Sequence, residues 1–269
     1  MDVVVDGIRY HVEVSGEGFP LLLLHGFTGD TSTWSSFSNV WGKHSMLIAP
    51  DILGHGKTES PEELHHYRIE SVAHDLNVIL DELGANQVDL LGYSMGGRLA
   101  LTFALLFPNR VRKVILESTS PGLITVEEQE QRRLKDAELA SFLIKQGVTS
   151  FVDYWEELPL FETMKKLPVS IQMKIREQRL RNDPIGLANS LLGMGTGSQP
   201  SWWGQLDQLA SAILLLSGEK DVKFYTIAEK MSKKLKKVQW TTFENSGHAI
   251  HVEEAEKFGT IVSDFLQQN

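Results

Sequence analysis

Val88-Asp89-Leu90-Leu91-Gly92-Tyr93-Ser94-Met95-Gly96 joins a short apolar run to a G-x-S-x-G turn, and its reading decides how the rest of the chain is understood. The run has the length of a buried strand. The residues after the turn, Met95 to Phe107, carry Leu99, Phe103 and Leu106 at helical spacing. So sharp a passage from strand to helix strains the backbone of its central residue, and glycines two positions before and after leave room for the two elements to approach. Ser94 is expected to stand exposed at the end of a buried strand. Because the pentapeptide is common by chance, its weight rests on the pattern around it.

Working outward, Val3, Val5, Ile8, Tyr10, Val12 and Val14 alternate about Asp6-Gly7, which predicts an antiparallel hairpin. Beyond it, continuous apolar runs at Leu21 to Leu24, Met46 to Ala49, Val114 to Leu116 and Ile213 to Leu216 read as strands covered on both faces. A helix over Ile69 to Leu83 places Val72, Leu76, Ile79, Leu80 and Leu83 on one side. This alternation predicts an α/β class protein with a doubly wound, mostly parallel central sheet, helices on both faces, and ligands at the carboxyl ends of the strands. Between about Thr125 and Leu192 the alternation stops. The segment is charged at Glu127 to Asp136 and amphipathic and aromatic-rich at Phe142 to Phe161, too long for a connection, and is expected to be a helical cap inserted after the sixth strand. Gly193-Met194-Gly195-Thr196-Gly197-Ser198-Gln199-Pro200 is expected to return as a flexible loop. The domains are then a core of residues 1–124 and 193–269 and a cap of residues 125–192. No internal repeat or low-complexity tract is visible.

The 269 residues suit one soluble domain with ample apolar content for a two-sided core. No run of eighteen apolar residues and no signal-like amino terminus is present, so a cytoplasmic protein with no membrane partner is expected. The absence of cysteine excludes disulfides and thiolate chemistry. A net charge of −9 argues against nucleic acid and anionic surfaces. An anionic ligand would need locally concentrated arginines. No metal-ligand spacing and no dinucleotide fingerprint occurs, so neither metal nor organic cofactor is expected. A monomer or weak homo-oligomer is the expected state.

Three further segments fall where an α/β-hydrolase fold would place them. His25-Gly26-Phe27 follows the first buried strand, and the Phe27 and Met95 amides are the expected oxyanion-hole donors. Ser217-Gly218-Glu219-Lys220-Asp221 ends the strand Ile213 to Leu216, and Ser246-Gly247-His248 follows a strand around Val238 to Phe243. The order Ser94, Asp221, His248 is that of a serine–acid–histidine triad in this fold. Glu219 and Glu117 compete with Asp221 for the acid. His25 and His55 are expected to support loops, and Asp51-Ile52-Leu53-Gly54-His55-Gly56 to form a structural turn.

Over nearly its whole length the chain resembles the 2-succinyl-6-hydroxy-2,4-cyclohexadiene-1-carboxylate synthases, pyruvate-eliminating lyases of menaquinone biosynthesis. The likeness is carried by Gly92-Tyr93-Ser94-Met95-Gly96-Gly97-Arg98, Glu117-Ser118-Thr119-Ser120-Pro121-Gly122-Leu123, Gly218-Glu219-Lys220-Asp221-Val222-Lys223-Phe224 and Gly247-His248-Ala249-Ile250-His251-Val252-Glu253. It implies substrate-binding roles for Tyr93, Arg98, Arg132, Trp155 and Arg179, with Arg133 as an alternative to Arg132. Glu254-Ala255 stands where the family often has proline, a departure that touches a helix start and no chemistry. The implied substrate is a small anionic tricarboxylate, which an acidic protein can hold only with guanidinium groups gathered in its pocket. A serine esterase or carbon–carbon bond hydrolase of the same fold, and a non-catalytic small-molecule receptor, are the competing readings.

Overall fold

The computed structural model describes residues 1–268. One sheet contains β1 (Asp2–Val5), β2 (Ile8–Ser15), β3 (Phe19–Leu24), β4 (Ser45–Pro50), β5 (Val88–Tyr93), β6 (Val111–Glu117), β7 (Ala212–Gly218) and β8 (Val238–Phe243), in the spatial order β1-β2-β4-β3-β5-β6-β7-β8. β1 and β2 form the expected antiparallel hairpin, β2 pairs antiparallel with β4, and every later pair is parallel. The helices are α1 (Ser38–Trp41), α2 (Ile69–Glu82), α3 (Met95–Leu106), α4 (Val126–Glu156), α5 (Val169–Leu180), α6 (Pro184–Met194), α7 (Val222–Ser232), α8 (Ile250–Glu253) and α9 (Ala255–Gln267). No described helix is long and apolar enough to cross a membrane.

β3 shows why the apolar runs are continuous. Strand side chains alternate between faces, so Leu22 and Leu24 pack with Val72 and Leu76 of α2 and Leu99 of α3, while Leu21 and Leu23 meet Trp34, Trp41 and Phe258 on the other side. Both faces are covered and all four leucines are buried. Each contributes about 1.5–3 kcal/mol of transfer free energy. From β3 the chain moves to β4 on one side and then to β5 on the other, and this reversal opens a crevice at the carboxyl ends. Leu24 pairs with Gly92, Gly92 with Leu116, Glu117 with Leu216, and Gly218 with Phe243. The segments after β3, β5, β7 and β8 therefore emerge along one edge.

The helices inserted between β6 and β7 share a small core of Ala140, Leu143, Phe151, Leu187 and Leu191. α4 begins with a capping box in which Thr125 and Glu128 satisfy each other's backbone amides. It breaks at Gly147, whose φ of 78° and ψ of 169° lie outside any helix. α6 starts on Pro184 with Asp183 accepting from the Ile185 and Gly186 amides. It continues to Met194, so the return segment begins at Gly195 rather than Gly193. Hydrogen bonds tie that segment to its surroundings. The Ser198 and Gln199 amides donate to the Gly195 carbonyl, and Arg133 donates to the carbonyl of Gly197 at 2.9 Å. A Cβ at Gly193 would overlap Tyr67, and one at Gly195 would overlap the Leu191 carbonyl. These glycines serve close packing, a use that composition does not distinguish from loop freedom.

Candidate active site

The turn after β5 has the strain that its sequence predicts. Ser94 sits at φ 52°, ψ −105°, and its amide donates to the Glu117 carbonyl of β6 at 2.9 Å. A Cβ on Gly92 would collide with the Gly96 carbonyl, and one on Gly96 with the carbonyls of Leu24 and His25. The two glycines let α3 start directly against β3 and β5. The Ser94 hydroxyl then lies 2.9 Å from His248 Nε2.

His248 Nδ1 lies 2.6 Å from Asp221 Oδ2, and both residues are buried. An ionised carboxylate accepts from Nδ1–H, which leaves Nε2 unprotonated and able to accept the serine proton. Asp221 is itself fixed as the N-cap of α7, accepting from the Phe224 amide at 3.3 Å. The rings of Phe224 and Tyr93 close on the imidazole with centroids 4.6 and 5.4 Å away. Of the competing acids, Glu219 is exposed and accepts from the Asn245 amide, and Glu117 is occupied by His251, accepting from its amide and from Nδ1 at 2.9 Å. The Glu117–His251 pair has no counterpart in the sequence reading, because no spacing rule joins a strand end to a helix 134 residues later.

His25 and His55 are buried loop supports. His25 Nε2 accepts from the Ile52 amide at 3.0 Å, and Nδ1 donates to the Gly26 carbonyl. Burial lowers the pKa of both, that of His55 to about 3. Asp51 accepts from the Thr31 and Lys57 amides, which makes its segment a structural turn. Among the described residues no group of three or more His, Asp or Glu side chains could hold a metal ion.

Two cavity lobes meet at Ser94, sharing Phe27, Trp155, Leu160 and His248 as walls. Tyr93 and Arg179 line the smaller. The larger, of about 280 Å³, is lined by Arg98, Arg132 and Met95. Arg179 is buried, pairs with Glu156 at 3.1 Å and lies over the Phe161 ring, and burial lowers its pKa. Arg98 donates to the Met194 carbonyl and to Gln199 Oε1; burial, reinforced by the like charge of Arg132, brings its pKa down to about 9. Arg132 Nε donates to Asp136 Oδ1 at 2.8 Å, and burial raises the pKa of that carboxylate. Arg132 thus faces the cavity, whereas Arg133 reaches the return segment. The Trp155 indole N–H is buried with no partner among the described residues. Burial also raises the Tyr93 hydroxyl pKa. Phe27 and the first helical residue Met95 both border the larger lobe beside the serine, and the amide of a helix's first residue has no intrahelical acceptor.

A family model described as alpha/beta hydrolase fold matches residues 20–255. The chain is 44% identical over 265 residues, 98% of its own length and 96% of the relative, to a Bacillus subtilis (strain 168) protein provisionally named 2-succinyl-6-hydroxy-2,4-cyclohexadiene-1-carboxylate synthase. A Photorhabdus laumondii protein of that name is 29% identical, covering 91% of this chain and 84% of its own. The structure of MenH from S. aureus superposes with a TM-score of 0.91 at 36% identity, covering 96% of this chain and 97% of the other.

Proposed function

The chain belongs to the alpha/beta hydrolase family and, within it, to the 2-succinyl-6-hydroxy-2,4-cyclohexadiene-1-carboxylate synthases, and we propose that it eliminates pyruvate from 2-succinyl-5-enolpyruvyl-6-hydroxy-3-cyclohexene-1-carboxylate in menaquinone biosynthesis. The observation that carries this reading is a cavity with guanidinium groups on both sides of one serine, Arg179 in one lobe and Arg98 and Arg132 in the other. A tricarboxylate needs such a distribution. A neutral ester gains nothing from it, and buried Arg98, which bonds only to the Met194 carbonyl and Gln199, would stay without a counter-charge.

In the proposed mechanism His248, oriented by Asp221, takes the Ser94 proton, and the serine oxygen removes the proton next to the succinyl carbonyl. The electron pair moves through the carbonyl and the ring double bond and expels the enolpyruvyl group, which leaves as pyruvate once protonated. The Phe27 and Met95 amides hold the developing enolate oxygen. The arginines bind carboxylates, and Tyr93 and Trp155 wall the reacting centre. The inserted helices act as a cap that keeps water from the base. No bond forms between serine and carbon.

Incubation with the enolpyruvyl substrate and enzymatic detection of pyruvate tests the reaction, and intact-mass measurement on rapidly quenched enzyme tests the role of Ser94. Pyruvate without an adduct is expected. A stoichiometric acyl-Ser94, or cleavage of a carbon–carbon bond by water, would replace this reading with a hydrolase.

A further inference from the structure

The larger lobe has a fourth wall that the arginines do not account for. α7 begins immediately after Asp221, and Lys223, Phe224, Ile227 and Lys230 all line the lobe. Lys223, Ile227 and Lys230 stand at i, i+4 and i+7, which is one face of a helix. Both lysines are exposed, so this face forms the lobe's mouth.

Neither lysine makes an ion pair among the described residues, although the protein carries 35 acidic side chains against 26 basic ones. Lys233, three residues beyond Lys230, is paired with Glu229 at 2.9 Å. Lys223 also sits in the first turn of α7. That is the wrong end for a cation, because the helix dipole there is positive. Partial desolvation lowers the pKa of Lys223 first, and the like charges of Arg132 and Arg98, which line the same lobe, lower it further, while Asp221 opposes them. Asp136 is committed to Arg132 and Glu128 to the cap of α4. Arg98, Lys223 and Lys230, none of them ion-paired among the described residues, border an open cavity beside the Arg132–Asp136 pair, an arrangement that works against folding stability and in favour of an incoming anion.

We propose that Lys223, assisted by Lys230, is a substrate-recruiting residue that draws a polycarboxylate through the mouth of the larger lobe toward Arg98 and Arg132. The proposal rests on the pyruvate-eliminating reading for the identity of its anion. A protein of net charge −9 repels a tricarboxylate at long range, and a local cationic mouth reverses that sign within the last Debye length, about 10 Å at 0.1 M salt. Recruitment acts on the encounter, so it governs kcat/KM more than kcat.

The experiment measures pyruvate release by the parent, Lys223→Gln, Lys223→Arg and Lys223→Gln/Lys230→Gln from about 20 to 300 mM salt, where screening changes most. At low salt the double variant is expected to lose about tenfold in kcat/KM with a much smaller change in kcat. The gap should close as salt rises, and Lys223→Arg should restore most of the rate. A double variant with the parent's kcat/KM and the parent's salt dependence overturns the proposal, as does a loss confined to kcat. In parallel, citrate is titrated against thermal unfolding, with acetate at equal ionic strength as control. Citrate should raise the parent's Tm and the double variant's much less. A parent that makes no pyruvate yet shows this lysine-dependent citrate effect would sink the lyase reading and leave the anion-recruiting mouth standing. A parent that makes pyruvate while the lysine variants match it in both assays would do the reverse.

Discussion

The amide of Ser94 donates to the carbonyl of Glu117 on the neighbouring strand, so a residue at positive φ is held by a sheet hydrogen bond of 2.9 Å. The strain at the serine is balanced outside the turn, by β6. Glu117 also binds His251 with its side chain, and so ties the elbow to α8 as well as to the sheet.

Ser94→Gly should therefore remove strain and function together. Glycine adopts positive φ freely, so the variant is expected to be more stable than the parent by about 0.5–1 kcal/mol by urea denaturation. Ser94→Ala, which keeps the strained backbone, should show no such gain. Both should release pyruvate roughly 10²- to 10⁴-fold more slowly, the range for a lost general base.

Asp221→Asn should slow turnover severely, because an amide next to Nδ1 can stabilise the histidine tautomer that protonates Nε2. Glu219→Gln, at an exposed carboxylate facing Asn245, should leave kcat within about twofold, as surface substitutions commonly do. Steady-state rates for the pair decide between the two acids. The opposite ranking would move the triad.

Arg98→Ala, Arg132→Ala and Arg179→Ala should each weaken substrate by about ten- to a hundredfold, the loss of one charge-assisted pair of 1.5–3 kcal/mol. Hydrolysis of a small neutral activated ester should change far less. Arg133→Ala, whose guanidinium reaches the Gly197 carbonyl, should alter thermal stability more than substrate affinity. Substrate titrations of the four variants provide the check, and equal affinity throughout would defeat the polyanion reading.

Acid should destabilise the fold before it protonates most carboxylates. The His55 pKa is lowered from 6.5 to about 3, so below pH 6.5 the unfolded chain binds a proton that the folded chain refuses. The stability from this residue is fully present above pH 6.5 and falls by about 1.4 kcal/mol per pH unit as pH drops toward 3. His25, lowered in the same direction, adds to the slope. His55→Leu should reduce the dependence by about one proton between pH 6.5 and 5, measured from urea unfolding at each pH. An unchanged slope would show that His55 is not the group responsible.

Much of this was legible in the chain because the chemistry lies close to strand ends. Gly92, Ser94 and Gly96 fall within five residues, Asp221 follows the buried strand β7 by a few positions, and His248 follows the half-buried edge strand β8. Arg132 and Arg133 could not be separated in that way, since they differ by one hundred degrees around a helix whose orientation is set by packing against α6. The break at Gly147 was hidden because glycine within a periodic segment reads equally as tolerated or as breaking. Gly193 reads as loop freedom in the sequence because its close approach to Tyr67 is a tertiary demand that leaves no mark there but the glycine itself. Lys223 and Lys230 have the spacing of any solvated helix face. Only the position of α7 beside the larger lobe separates them from ordinary surface lysines.

Gly147 also divides the cavity's construction. Arg132 and Asp136 precede it on α4, and Trp155 and Glu156, which holds Arg179, follow it. A Cβ at this glycine would meet nothing within 4 Å. Arg132, which lines only the larger lobe, and Trp155, which walls both, therefore lie on separate arms of α4 joined at an uncrowded corner. The corner is set by backbone conformation: a φ of 78° favours glycine, and the bend it makes orients the arm that carries Arg132 relative to the arm that carries Trp155.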